Sequence, residues 1–299
     1  MYIPSIYPDL KLTNKDERSV TKNGKSNLKN ILTIVFSFLL SLLAFLLCGI
    51  FILQNTVFNS DYMRNQLNKS HYYENVTEEV ESEFASYGAA SGFDEKFFKT
   101  VLNLNDVQLN VNQSLNLLYG SSENTIDTTN FEKNLNLKLI ENVNSRGIKI
   151  TPETEKALHL LTKTCADTYA QYISIPYIKQ LSPIIQMLKK PILYSEVFLF
   201  VLIILLAVLI FGLNHWRHRA IRAYIYSVSG TMLMLLVFPI IFLFSGKVNN
   251  VALISKSLYE FFVCYLNDFA LMFFQLTLIL TVPLSVLIIL YRFMLRQVQ

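Results

Sequence analysis

Apolar and polar positions divide this chain into four long apolar runs and one long stretch in which apolar residues recur every three or four positions. The first run, 31–53, carries no charged residue from Ile31 to Leu53. As a helix rising about 1.5 Å per residue, it is long enough to cross a hydrocarbon core roughly 30 Å thick. Runs at 191–214, 223–245 and 268–291 predict three further transmembrane helices. The intervening stretch, 54–190, is polar, and its apolar residues mark helix faces. These are Val76, Val80, Phe84 and Tyr87, then Phe93, Phe97, Phe98, Val101 and Leu102, then Val107, Val111, Leu115 and Leu118. Leu135, Leu139 and Val143 make a fourth face, and Leu158, Leu161, Cys165, Tyr169 and Tyr172 a fifth. Five such faces can be buried only against one another, which predicts a helical domain.

Local signals punctuate these helices. Ser91 with Asp94, and Thr129 with Glu132, have capping-box spacing. Asn105 opens the third helix, and Thr151 followed by Pro152 opens the last, since proline at the first helical position gives up no needed hydrogen bond. Gly120 and Gly147 supply stops. Residues 148–150 have strand character but no partner strand. Pro176, Pro183 and Pro191 are expected to break the return to the membrane into short amphipathic helices at its outer interface. Residues 1–30, with Pro4 and Pro8, read as a loose tail, and 246–267 as an outer loop.

Charge sets the orientation. Lys11, Lys15, Arg18, Lys22, Lys25 and Lys29 precede the first run. Arg217, Arg219 and Arg222 occupy the short loop 215–222 with no acid among them, and Arg292 and Arg296 fall in the closing segment 292–299. Basic residues beside spans are retained on the cytoplasmic side, so both termini are expected inside and 54–190 outside. The first run is longer than a signal-peptide core, and no small-x-small pattern follows it. Leu47 sits where a lipoprotein cleavage site needs a small residue, so 31–53 reads as an uncleaved anchor. The expected fold class is therefore all-α: four transmembrane helices, with an extracytoplasmic helical domain inserted between the first and second, in a multi-pass protein of the cell membrane.

Composition agrees with a membrane protein that has one sizeable aqueous part: 52% of residues are hydrophobic and only 16% charged, with a mean hydropathy of +0.36. The net charge of +4 comes largely from topological arginines and lysines, which argues against nucleic acid as a partner.

Chemistry is sparse. The chain has no paired CxxC, no HExxH and no acidic calcium loop, so neither a metal nor a cofactor is expected. There is no G-x-S-x-G elbow and no glycine-rich phosphate loop, which points away from an enzyme. Cys165 has no partner cysteine within 54–190, and a bridge to Cys264 would require the domain to fold back onto the membrane; Cys48, Cys165 and Cys264 read as apolar filler. Glu78, Glu79, Glu81 and Glu83 read as a solvated acidic face, and His71 and His159 as isolated residues. Inside the last span, Thr277, Thr281 and Ser285 follow one another at intervals of four and share a face. Ser227, Gly230 and Thr231 of the third span are candidates to face that stripe, as helix packing or as the wall of a polar path. Trp216, Arg217, Arg219 and Arg222 form a candidate cytoplasmic interface.

The segments Ser60-Asp61-Tyr62, Ser91-Gly92-Phe93-Asp94-Glu95 and Ile126-Asp127 give the region a layout that resembles uncharacterised four-span membrane proteins of low-G+C Gram-positive bacteria. That resemblance implies a bacterial cell membrane and brings no activity with it. The topology is also similar to four-span permeases that transmit ATPase motion, although their exported domains usually include strands. Two functions compete. The first is a non-enzymatic sensing or interaction protein whose extracytoplasmic domain meets a protein partner. The second is an accessory or permease-like subunit of a membrane transport complex. The lipid bilayer is a partner in either case.

Overall fold

A computed structural model of the protein describes residues 14–120, 128–175, 178–214, 216–245 and 255–298. Among these residues the fold is all-helical, with no strand, so 148–150 is not one. The helices are α1 (Asn14–Asn55), α2 (Ser60–Lys69), α3 (Tyr72–Gly88), α4 (Glu95–Val101) and α5 (Leu104–Leu118). They continue with α6 (Thr129–Ser145), α7 (Pro152–Ile173), α8 (Ile178–Leu213), α9 (Arg217–Ser245) and α10 (Lys256–Val298). Stretches of α1, α8, α9 and α10 are each long and apolar enough to cross a membrane.

The chain divides into two compact units. The larger comprises 49–196 and 238–274, and its core is a bundle of α2 to α7. Val76, Val80, Phe84, Phe98, Val107, Leu115, Leu135, Leu139 and Cys165 are fully buried there, so the three-to-four periodicity picked out the inner faces correctly. Tyr87 at the end of its stripe is exposed. Side-chain caps start α2, α4, α5 and α7. Asn59 Oδ1 accepts from the backbone N–H of Asp61 and Tyr62, Asp94 Oδ1 from Phe97, Asn103 Oδ1 from Asn105, and Thr151 Oγ1 from Thr154. Gly120 and Gly147 follow α5 and α6 with left-handed backbone, at φ +70° and +72°.

Several expectations shift. Asn103, not Asn105, caps α5; Asp94 alone, not Ser91, caps α4; and Thr128 holds the N-cap position of α6. The bundle gains α2, whose ten residues carry too few apolar positions, chiefly Tyr62, Met63 and Leu67, to reveal a period. Residues 14–30 are helical and continue into the first apolar run. Pro183 and Pro191 lie inside α8 and do not divide it. Each proline forfeits one backbone bond; at Pro191, where the apolar run begins, an apolar environment penalises every other unpaired backbone group and favours continued helix. Residues 256–267, expected in a loop, form the first three turns of α10.

The smaller unit comprises 1–48, 197–237 and 275–299. Its core sets Leu40 and Leu43 of α1 against Leu206 and Ile210 of α8 and Ala223 of α9. Small residues bring α1 and α9 together: Ser37 Oγ donates to the Ala223 carbonyl, and Thr231 Oγ1 donates to the Ser41 carbonyl at 3.1 Å. A Cβ added to Gly230 would lie only 3.2 Å from Ser41. Hydroxyl and small side chains let the backbones approach and bond across the contact.

Candidate functional site

A concave polar feature of the larger unit opens between α5, α6 and α7. It has a volume of about 250 Å³ and is lined by Asn103, Asp106, Leu109, Asn110, Asn130, Phe131, Asn134 and Tyr169, with Val101 and Leu102 behind. Helical spacing explains the convergence. Asn103, Asp106 and Asn110 follow at three and four along α5, and Asn130 and Asn134 at four along α6, so each group shares one face. Tyr169 of α7 forms the floor, stacked on Phe131 with ring centroids 4.2 Å apart and planes 19° from parallel. Asn110 Nδ2 donates to the Tyr169 hydroxyl at 2.8 Å, which leaves the Asn110 carbonyl oxygen able to accept. Burial holds the Tyr169 hydroxyl above the ordinary tyrosine range, against the lowering effect of that bond.

Four carboxamides and the Asp106 carboxylate line it, with no histidine, cysteine, lysine or arginine among them. Such a surface can hold a hydrogen-bonding ligand that is neutral or carries a positive charge toward Asp106. It has no nucleophile paired with a base. The amide character continues onto the outer face of α5, where Asn105, Gln108, Asn112, Gln113 and Asn116 surround Leu109, which is 65% exposed. Arg64 of α2 braces that face, donating through Nε to Asn112 and through Nη2 to Asn116.

A second constellation fixes α10 to the bundle. Glu79 of α3 receives the Ser257 backbone N–H at 2.8 Å and the hydroxyls of Ser255 and Ser257, closing the start of α10 with a carboxylate. One turn on, Asn75 Nδ2 donates to Glu260 at 2.6 Å. Further along, Cys264 Sγ reaches Gln66 Oε1, and Asp268 accepts from Gln66 Nε2 at 2.9 Å and pairs with Lys69 at 2.6 Å. The Asp268 partner raises the affinity of Lys69 for its proton. Beside this polar row, Phe261 meets Tyr72, and Tyr265 meets Tyr62, both edge to face. Glu260, Cys264 and Asp268 recur every four residues, as do Phe261, Tyr265, Phe269 and Phe273.

The expected sites fare unevenly. Thr277 is buried, whereas Thr281 and Ser285 are exposed and donate to carbonyls of their own helix, those of Leu278 and Thr281. Of the third-span row, Gly230 and Thr231 meet Ser41 of α1, and Ser227 is buried. Trp216 is exposed with its ring beside His218, and Arg217 is exposed. Arg219 and Arg222 instead line a small cavity with α1. All three cysteines are free thiols, so Cys165 and Cys264 do not pair. Cys165 is fully buried, and burial pushes its pKa up to about 12. Among the described residues no group of three histidine, cysteine, aspartate or glutamate side chains is placed to hold a metal ion. Ile126 and Asp127 lie outside the described residues.

No family model, curated protein or solved structure matches the chain.

Proposed function

We propose that this is an integral membrane protein of a bacterial cell envelope, with both termini cytoplasmic and the α2–α7 bundle outside. In this reading it acts without catalysis, as a sensing or interaction protein. The observation that carries it is the amide-lined pocket between α5, α6 and α7: a concave, hydrogen-bonding surface with one carboxylate, Asp106, and a stacked aromatic floor. The polar row from Glu79 to Lys69 supports a route for the signal, because it ties the first half of α10 to α2 and α3, and α10 continues as one helix to Val298. The accessory-subunit reading rests on the Thr277, Thr281 and Ser285 stripe and on the Arg-rich loop 215–222. Two of those hydroxyl donors are spent on their own helix, which weakens it.

The test is photocrosslinking in intact cells from a residue introduced at Leu109, with Leu160 of α7, of nearly equal exposure, as the control. A discrete adduct from Leu109 that N134A weakens, with none from Leu160, supports the reading. No adduct, or the same adducts from both positions, overturns it.

A further inference from the structure

Within the smaller unit, a cavity of about 60 Å³ lies between the start of the apolar part of α1 and the N-terminal turns of α9. Asn30, Thr33, Arg219, Arg222 and Tyr226 supply its polar lining. We propose that this cavity binds one phosphate group, either the headgroup phosphate of an anionic phospholipid or free inorganic phosphate.

Packing creates the site. Ala220 and Ala223 are buried, and Ser37 donates to the Ala223 carbonyl, so α9 lies close to α1 at this level. Arg219 and Arg222, three residues apart on one helix face, are thereby held at the rim against Asn30 and Thr33. Some lining groups are already committed: Thr33 donates to the Lys29 carbonyl, and Asn214 Nδ2 donates to Thr33 and to the Ile210 carbonyl. They form the wall. The two guanidinium groups, with the Asn30 amide and the Tyr226 hydroxyl, supply donors toward the space. No carboxylate among the described residues lies within ion-pair distance of Arg219 or Arg222. Two forked cations without a counter-ion among the described residues, at the end of an apolar helix, match a tetrahedral oxyanion. The volume takes a compact group and excludes a bulky one. Basic pockets between membrane helices take lipid headgroups by this chemistry, and the N-terminus of α9 adds its positive pole. The site is separate from the bundle pocket and does not depend on what that pocket binds.

The experiment uses the full chain purified in a neutral detergent, with bound lipid counted by native mass spectrometry. Phosphatidylglycerol is compared with diacylglycerol, which lacks the phosphate. One phosphatidylglycerol is expected to be retained and diacylglycerol lost. R219Q/R222Q should weaken retention roughly 30-fold, two charges at a membrane surface being removed. R217Q, two residues before Arg219 and outside the lining, should leave it unchanged. Arg219 and Arg222 are exposed, so the double variant is expected to keep the melting temperature of the lipid-free protein; N30A, which removes one neutral donor, serves as a second variant with a several-fold loss. If millimolar inorganic phosphate displaces the lipid, the site takes the free anion; if it does not, the site takes the headgroup. Either result supports the proposal. Equal retention of diacylglycerol, an R217Q loss as large as that of R219Q/R222Q, or full retention by R219Q/R222Q and N30A overturns it.

Discussion

At Gly88, near the end of α3, an added Cβ would lie 2.8 Å from Phe93 Cβ and 2.8 Å from Phe98 Cε2, both in fully packed surroundings. G88A is therefore expected to destabilise the protein by about 2 kcal/mol, read as a lower denaturation midpoint of the detergent-solubilised chain. The opposite sign is expected at Thr162, whose hydroxyl is buried with no hydrogen-bond partner among the described residues. T162V keeps the shape, removes the unsatisfied group, and should gain about 1 kcal/mol in the same assay. Glu81 titrates in the bundle with its pKa raised, first by burial and then by Glu95 and Glu78, against the lowering effect of Lys99. An acid whose folded pKa is raised holds its proton more firmly in the folded state, so its contribution falls as pH rises above the unfolded value. E81Q should then raise the melting temperature at pH 7, with the gain shrinking as pH falls through the ordinary carboxylate range. A gain that grew on acidification would contradict this account.

Among the elements, α10 shows most clearly what a linear pattern reveals and what it conceals. The bundle helices α3, α5, α6 and α7 were legible because each buries one stripe, and Thr151-Pro152, Gly120 and Gly147 are local signals that act within one turn. The first turns of α10 were not legible, since Glu260 and Asp268 look like loop or interface residues until Asn75 and Lys69 are placed opposite them. Those partners lie 185 and 199 residues away in the chain, beyond any periodicity. The same holds for the pocket: Asn103, Asn110, Asn130 and Asn134 were hidden in an asparagine-rich sequence until α5 and α6 set them together. The polar row makes a prediction of its own. Q66A/K69A leaves Asp268 without both partners and should raise hydrogen–deuterium exchange along 256–268 several-fold, while 129–145 keeps its protection.

For the whole molecule, the proposed orientation predicts opposite reactivities at two exposed positions. A cysteine replacing Leu137 on α6 should react with a membrane-impermeant maleimide in intact cells, and one replacing Arg296 should react only after permeabilisation. The reverse pattern would invert the topology. The fixing of α10 by α2 and α3 also bears on biosynthesis. Lys69, Asn75 and Glu79 emerge from the ribosome well before their partners Asp268, Glu260 and Ser257, which lie 199, 185 and 178 residues further along the chain. Domains generally fold from the N-terminus as they are synthesised, so the bundle must wait with one polar flank unmatched until α10 is inserted. A chain truncated before α10 would carry that flank permanently open, and a membrane quality-control protease would have a chemical mark by which to tell an unfinished copy from a finished one.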